Sequence, residues 1–325
     1  DKRKEITPEE IKLLPSVKFI NLTGGEPFIR EDLDQIVEVC FTKSPRVVIS
    51  TSGWYEDRVI ALAKKFPNIG IRISIEGLSC KNDELRGHAG GFDKGLRTLL
   101  TLKDMGVKDI GFGCTVSNNN SKDMLSLYQL SRSLGMEFAT AAFHNSYYFH
   151  KDDNVITNKE EVCGDFEKLI NLQLKEKHPK SWMRAFFNMG LINYIEGSRR
   201  MLPCQAGEMN FFVEPYGDIY PCNGLEKKYW KKRMGNIRET PNFKEIWEGE
   251  QLVGGLYGVT LGRCFFGESM FSLVPSASKL ALIHLAQFFG EHGGVLIDCQ
   301  FETPHLKSMG GRYISYEEYM ELLQS

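Results

Sequence analysis

Asn21-Leu22-Thr23-Gly24-Gly25-Glu26-Pro27-Phe28-Ile29-Arg30-Glu31-Asp32 decides how the rest of this chain is read. Before it, Val17 to Leu22 is an apolar run of strand length. After it, Leu33, Ile36, Val37, Cys40 and Phe41 fall at helical spacing within Glu31 to Thr42. The quoted stretch is therefore the turn of a strand–helix unit. Gly24 and Gly25 let a ligand approach the backbone closely, Pro27 stops the strand, and the carboxylate of Glu26 can bind a cation. Carbonyls and a carboxylate converging on one spot suit an ammonium group. A tight turn explains a bare Gly-Gly pair by sterics alone, so the surrounding sequence has to decide.

The same rhythm repeats downstream. Strand-like runs at Val47 to Ser50, Ile71 to Ile75, Ile110 to Val116 and Glu137 to Ala142 alternate with helical segments near Asp57 to Lys65, Phe92 to Met105 and Ser121 to Leu134. Such alternation predicts a parallel sheet, open or closed into a barrel, with working loops at the carboxyl ends of the strands. The 325 residues are 42% hydrophobic and 25% charged, with 40 basic against 42 acidic side chains. That balance argues against whole-chain adhesion to nucleic acid or to an anionic membrane. No stretch approaches the roughly 18 apolar residues of a membrane span, and no leader resembles a signal peptide, so a soluble cytoplasmic protein is expected. The eight cysteines, from Cys40 to Cys299, form no dense framework and are expected as reduced thiols or metal ligands. The chain begins at Asp1, inside a polar helix-like run, as a fragment would.

The quoted stretch resembles the second-strand motif of radical S-adenosylmethionine (radical SAM) enzymes. Arg72-Ile73-Ser74-Ile75-Glu76-Gly77 is similar to that family's fourth strand, and Leu85-Arg86-Gly87 continues the likeness. The resemblance implies that Gly24, Gly25, Glu26 and Pro27 cradle the methionine amine of S-adenosylmethionine, with Ser74 and Glu76 near its ribose or methionine end. A plain buried strand accounts for Ser74 nearly as well. The family also needs a 4Fe-4S cluster with one open iron site, held by three cysteines in a CxxxCxxC loop. No CxxxCxxC occurs in this chain, and the loop would precede Asp1. Cys40 on an apolar helix face, Cys114 within a strand and the isolated Cys80 are expected to be buried or inert.

Cys204 is followed by twelve residues, then Gly217, then four more, then Cys222. This segment reads as a hairpin turning at Tyr216 to Asp218, whose ends could aim both thiolates at one metal; a disulfide in an oxidising compartment fits as well. It resembles the start of the SPASM or twitch extension of radical SAM enzymes, with a tail at Met234-Gly235-Asn236-Ile237 and Phe243-Lys244-Glu245-Ile246-Trp247. The resemblance implies an auxiliary 4Fe-4S cluster with Cys204 and Cys222 as metal ligands. It also implies an incomplete one, because only Cys264 and Cys299 remain downstream.

After Trp247 the character changes. Leu252 to Val259 and Arg263 to Phe266 read as adjacent strands joined through Thr260-Leu261-Gly262, with Gly267 to Met270 closing the pair. A helix from Ala277 to Glu291 stops at Gly293-Gly294, a strand follows at Val295 to Cys299, and a Ser315/Glu318 capping box opens a terminal helix. Four runs resemble the C-terminal portion of leucyl/phenylalanyl-tRNA-protein transferases, a fold related to GNAT acyltransferases: Leu252 to Gly258, Phe266 to Ser272, Ala277 to Lys279 and Leu296 to Gln300. The resemblance implies aminoacyl-tRNA carrying Leu or Phe as donor, and a protein with N-terminal Arg or Lys as acceptor. An α-amine attacking an ester must lose a proton, and Asp298 and Gln300, two apart on a strand, can act on it together. Glu268 offers a carboxylate to the basic side chain of the acceptor. Leu282, Leu285 and Phe289 share one helix face and, with Leu256, Phe265, Met270 and Ile297, resemble an apolar aminoacyl pocket; the same residues would serve equally as core.

The expected fold class is α/β in three parts. An incomplete parallel βα barrel, TIM-like in the radical SAM manner, covers 1–195; a small SPASM-like β-hairpin unit covers 196–247; a GNAT-like α/β half-domain covers 248–325. The expected function is that of a chimera, a radical SAM module modifying a peptide or protein joined, within Glu245 to Glu250, to the catalytic part of an aminoacyltransferase. The alternative is an inactive fusion or fragment, because each part lacks segments its family uses.

Overall fold

The computed structural model describes residues 5–145, 154–202, 204–207, 209–223, 234–244, 246, 254–272, 277–299 and 303–324. Two compact units divide the chain, Asp1–Trp247 and Glu248–Ser325.

In the first unit, short β-branched runs make five strands: β1 Ile20–Leu22, β2 Val47–Thr51, β3 Gly70–Ser74, β4 Ile110–Val116 and β5 Glu137–Ala142. All neighbours pair in parallel, in sequence order. The helices between them are α2 Leu33–Lys43, α3 Glu56–Lys65, α4 Ser79–Arg86, α5 Gly91–Asp104 and α6 Ser121–Ser133, after a short α1 at Pro8–Ile11. Sequential parallel strands with a helix in every crossover give a curled half-barrel. Strand alternation sorts the two faces. Ile71, Ile73, Phe112, Cys114 and Val116 are buried in the core, whereas Ser50, Arg72 and Gly111 lie in one row and Ser74 and Gly113 in the next on the opposite, concave face. Gly111 has to be glycine, because a Cβ there would strike the Glu137 carbonyl of β5. Strand β1 is shorter than the expected Val17 to Leu22, since the Val17 N–H is taken by the Lys43 carbonyl at the end of α2 (2.8 Å).

After β5 the strand–helix rhythm gives way to a helical hairpin, α7 Lys159–Lys175 and α8 Pro179–Glu196. It covers the β5 side of the sheet: Thr140 donates to Asn188 Oδ1 (2.5 Å), and Asn188 Nδ2 donates to Gln173 Oε1 (2.9 Å). Lys180 pairs with Glu137 at 2.5 Å. The segment that follows is a three-stranded antiparallel sheet rather than a hairpin alone, formed by β6 Phe212–Val213, β7 Asp218–Tyr220 and β8 Gly235–Asn236. Asn236 Nδ2 closes the turn by donating to Tyr216 O (3.1 Å) and Asp218 Oδ1 (2.7 Å). Ile219, Ile237, Phe243 and Ile246 join this sheet to the core. The N-terminal segment is fastened to it as well, through Arg238 to Glu10 (2.6 Å) and to the Glu5 carbonyl (2.8 Å).

In the second unit, β9 Gly254–Leu261 and β10 Cys264–Ser272 run antiparallel about Gly262, whose φ of +58° suits a residue without a Cβ. Helix α9, Ala277–Glu291, crosses over to β11, Leu296–Asp298, which pairs in parallel with β10. Two short helices complete the unit, α10 Pro304–Ser308 and α11 Tyr316–Gln324. Gly267 to Met270 does not close the β9/β10 pair as expected. The strand runs on to Ser272, and the register shift between Gly267 and Ser269 absorbs Glu268 as the extra residue of a β-bulge. Half of the expected capping box forms: Ser315 Oγ accepts from Glu318 N (3.1 Å), while the Glu318 carboxylate turns to Arg312 (2.6 Å). Among the described residues no helix is long and apolar enough to cross a membrane.

Candidate functional site

The turn after β1 is closed by Glu26, which caps a single 3-10 turn at Pro27–Ile29. One carboxylate oxygen accepts from Phe28 N (3.1 Å) and Thr51 Oγ1 (2.7 Å). The other accepts from Ser52 N (2.8 Å) and from the Ser52 hydroxyl. The carboxylate expected to meet a cation is thus a staple between this turn and the end of β2. What the turn offers to a ligand is backbone. A Cβ added at Gly24 or Gly25 would meet nothing within 4 Å. The open floor continues across the concave face, where Ser74 stands in register with Gly113, whose nearest neighbour for an added Cβ is 3.9 Å away. Beyond β3, Glu76 accepts from Thr115 N (2.6 Å) and lies 3.4 Å from Arg86. Burial pushes its carboxyl pKa up, against the opposing pull of the Thr115 N–H and of Arg86. Asn82 and Asn120 hold the backbone of residue 76, accepting from its N–H (2.9 Å) and donating to its carbonyl (2.7 Å). Thr51, Ser52, Asn82 and Asn120 were not read from the sequence as site residues, although each follows a strand whose carboxyl end was expected to carry function.

Cys204 is exposed and Cys222 half-buried. Their segments run side by side: Asn210 Nδ2 donates to Pro221 O (3.2 Å), and Gly207 leaves room for the Pro221 ring. Among the described residues no group of three or more His, Cys, Asp or Glu is placed to hold a metal ion. Cys264 is committed elsewhere, its thiol donating to the Leu322 carbonyl (3.3 Å). Two thiols do not make the roughly four-thiolate set of a 4Fe-4S cluster, so the residues described do not fit one. Cys40 and Cys114 are buried, with burial raising their thiol pKa, to about 11 for Cys40. Cys80, in the first turn of α4, is exposed.

In the second unit the register places Phe265 beside Ile297, and Met270 beside Leu256. The Phe265 ring meets Phe289 of α9 edge-on, with centroids 6.1 Å apart. Leu282 is buried, and Leu285 and Phe289, on the same helix face, are half-buried. The expected apolar set therefore gathers between α9 and one face of the sheet, except that Met270 stays exposed. Asp298 lies on the other face. Successive residues of a strand point to opposite sides, so Ile297 joins the apolar side while Asp298 turns to α11, where Tyr319 Oη donates to its Oδ2 (2.8 Å). Strand β11 stops at Asp298. Gln300, expected to act together with Asp298, and the side chain of Glu268 lie outside the described residues.

Three family models match the chain: the radical SAM superfamily over residues 3–130, the SPASM iron-sulfur cluster-binding domain over 204–257, and leucyl/phenylalanyl-tRNA protein transferase over 240–324. The chain is similar to radical SAM and SPASM proteins in its first part and to leucyl/phenylalanyl-tRNA-protein transferases in its last. The last two matches overlap at 240–257, around the boundary between the two compact units. The transferase of Chromohalobacter salexigens is 57% identical over 79 residues, covering 24% of this chain and 31% of that protein. That of Vibrio cholerae is 53% identical over 81 residues, covering 25% and 33%. The chain thus spans about a third of the length of these curated relatives. Solved structures resemble the radical SAM part in fold. For anSMEcpe with bound AdoMet the TM-score is 0.50 at 19% identity, covering 75% of this chain and 71% of that one. For Streptococcus suis SuiB bound to S-adenosylmethionine it is 0.52 at 15%, covering 72% and 55%. SuiB bound to the precursor peptide SuiA also scores 0.52 at 15%, covering 70% and 54%.

Proposed function

We propose that the transferase-like module moves Leu or Phe from aminoacyl-tRNA to a protein whose first residue is Arg or Lys, slowly, and that the half-barrel binds S-adenosylmethionine. One observation carries the first part: the stretch similar to the transferases holds Asp298 at the end of β11, one residue beyond Ile297, which lies on the sheet face lined by Phe265 and the α9 stripe. The acceptor's amine nitrogen bonds to the ester carbonyl carbon as the bond to the tRNA ribose oxygen breaks, and the proton lost by the amine is taken at Asp298 and passed to the departing ribose oxygen. Because the apolar side and Asp298 lie on opposite faces, the ester has to sit over the carboxyl end of β11, its side chain on one face and the amine on the other. Gln300 is proposed to act on the amine with Asp298, and Glu268 to offer its carboxylate to the acceptor's basic side chain. Placement of the reacting ester is worth several kcal/mol. The match begins only at residue 240, so the contributions of the relatives' other two thirds have no counterpart in it, and turnover is far below that of a whole transferase.

In the radical SAM module the open backbone at Gly24 and Gly25, the concave Ser74 and the edge at Glu76 fit the methionine and ribose of S-adenosylmethionine. Beside a reducing cluster, that cofactor supplies a 5'-deoxyadenosyl radical. The cluster's ligand set does not fit: this chain contains no CxxxCxxC, and Cys204 and Cys222 are two thiolates, so no radical step is drawn. A peptide or protein over the open face is the substrate class this module favours, in keeping with SuiB and its precursor peptide. The test of the transfer reading is movement of labelled Phe from Phe-tRNA to a peptide beginning with Arg, compared with Asp298→Ala. Loss of labelling in the variant supports it, and equal labelling refutes it.

A further inference from the structure

We infer that Tyr319 is the positioning residue for Asp298, holding the carboxylate in place for the proton it takes during aminoacyl transfer; this rests on the transfer reading above. The bond itself is direct, Tyr319 Oη to Asp298 Oδ2 at 2.8 Å. It matters because of where Asp298 stands. Strand β11 is only Leu296–Asp298 and stops at the residue whose carboxylate must be aimed. The strand's ladder orients the backbone at that point but not the side chain, and Tyr319, twenty-one residues further on, supplies a restraint on the carboxylate.

That helix is itself seated. Its first turn is fixed from Ser315, whose hydroxyl accepts from Glu318 N (3.1 Å) and whose carbonyl accepts from Tyr319 N (2.9 Å). Three residues on, along the same face, the Leu322 carbonyl accepts from the buried Cys264 thiol of β10 (3.3 Å). Tyr319 is thus held between two anchors. The contrast with its neighbours is informative: Tyr313 and Tyr316 are each 74% exposed, whereas Tyr319 turns inward to the carboxylate. Donating this hydrogen bond to the Asp298 carboxylate raises the phenol's pKa. A donor on one oxygen fixes the rotamer of the carboxylate. Tyr319 acts through Asp298 and not on the substrate.

The experiment uses the full chain in excess over labelled Phe-tRNA, with an Arg-initiated peptide as acceptor. Tyr319→Phe keeps the ring and removes only the hydroxyl. Loss of a hydrogen bond to a charged group predicts a rate constant for transfer about 10- to 100-fold lower, with half-saturation by Phe-tRNA and the melting midpoint unchanged. Tyr319→Ala, which also removes the ring, lowers the rate and the melting midpoint together. Wild-type transfer by Tyr319→Phe overturns the inference and leaves the transfer reading standing. Absence of transfer by the wild type overturns the transfer reading and the inference with it. A second measurement does not need activity: in a pH titration of ring-labelled tyrosines by NMR, Asp298→Asn brings the Tyr319 titration down toward the ordinary phenol range. A Tyr319 titration indifferent to Asp298→Asn shows that the bond is not made and refutes the inference even where transfer is seen.

Discussion

Replacing Glu26 by Ala tests whether the Gly24-Gly25-Glu26-Pro27 turn is held from within or by a ligand. The native carboxylate takes four hydrogen bonds, from Phe28 N, Thr51 Oγ1, Ser52 N and the Ser52 hydroxyl. Hydrogen bonds to an ionised group contribute about 1.5–3 kcal/mol each, and they are not additive when one side chain receives them all. Thr51 is buried, so its hydroxyl recovers little from water. Glu26→Ala should therefore cost the first unit about 2–4 kcal/mol, which at a urea slope of about 2 kcal/mol per molar lowers the midpoint by about 1–2 M. Glu26→Gln should cost nearly as much, because its amide NH2 would face donors. Trp54 reports on this unit: its backbone N–H donates to the Ser52 hydroxyl (3.3 Å), and its ring lies tilted against that of His88 with centroids 4.9 Å apart. Urea unfolding followed by tryptophan fluorescence is the assay. A Glu26→Ala midpoint equal to wild type would refute the reasoning, as would loss of S-adenosylmethionine binding with no loss of stability, which would return the carboxylate to the ligand.

Binding of S-adenosylmethionine, measured by calorimetry, is expected to be weak and to fall further in Glu26→Ala as the turn loosens; low-micromolar binding indifferent to that change would place the site elsewhere. Anaerobic reconstitution with iron and sulfide should yield little stable 4Fe-4S cluster and no 5'-deoxyadenosine under reducing conditions, because the chain has no CxxxCxxC and two grouped thiols; detection of the nucleoside contradicts this. Arg238 holds the Glu10 carboxyl down at about 2, from an ordinary 4.5, chiefly by its hydrogen bond. A depressed carboxyl contributes stability above its unfolded value and loses it as the pH falls through about 2, so the urea midpoints of wild type and Arg238→Ala should differ at pH 7 and converge near pH 2. The pair is partly exposed, which limits its effect to about 1 kcal/mol, and a difference constant across that range would contradict it.

The half-barrel was legible because its strands are continuous apolar runs and its helices carry one apolar stripe each; Ile71, Ile73, Phe112 and Val116 are core for the reason their spacing gave. The helical hairpin α7–α8 was passed over, although Val162, Phe166 and Leu169 fall at helical spacing and are buried. Periodicity says nothing about where a carboxylate's hydrogen bonds go, and so Glu26 read as a ligand group when its partners lie at Thr51 and Ser52, more than twenty residues on. The bulge at Glu268 was invisible, since one extra residue in a strand leaves the composition unchanged. Asp298 and Ile297 were grouped as one site by motif, whereas alternation along β11 separates them by the thickness of the sheet. Tyr319 could have been found only by asking which tyrosine shares a helix face with the residue touching β10, a question the sequence does not pose.

Single-turnover transfer of labelled Phe, with the full chain in excess over Phe-tRNA, bears most directly on the claim that the end of β11 is an acyl-transfer site. The account predicts slow but measurable labelling of an Arg-initiated peptide, none when its N terminus is acetylated, and none with Asp298→Ala. Equal labelling by wild type and Asp298→Ala, or no labelling by the wild type, would contradict it.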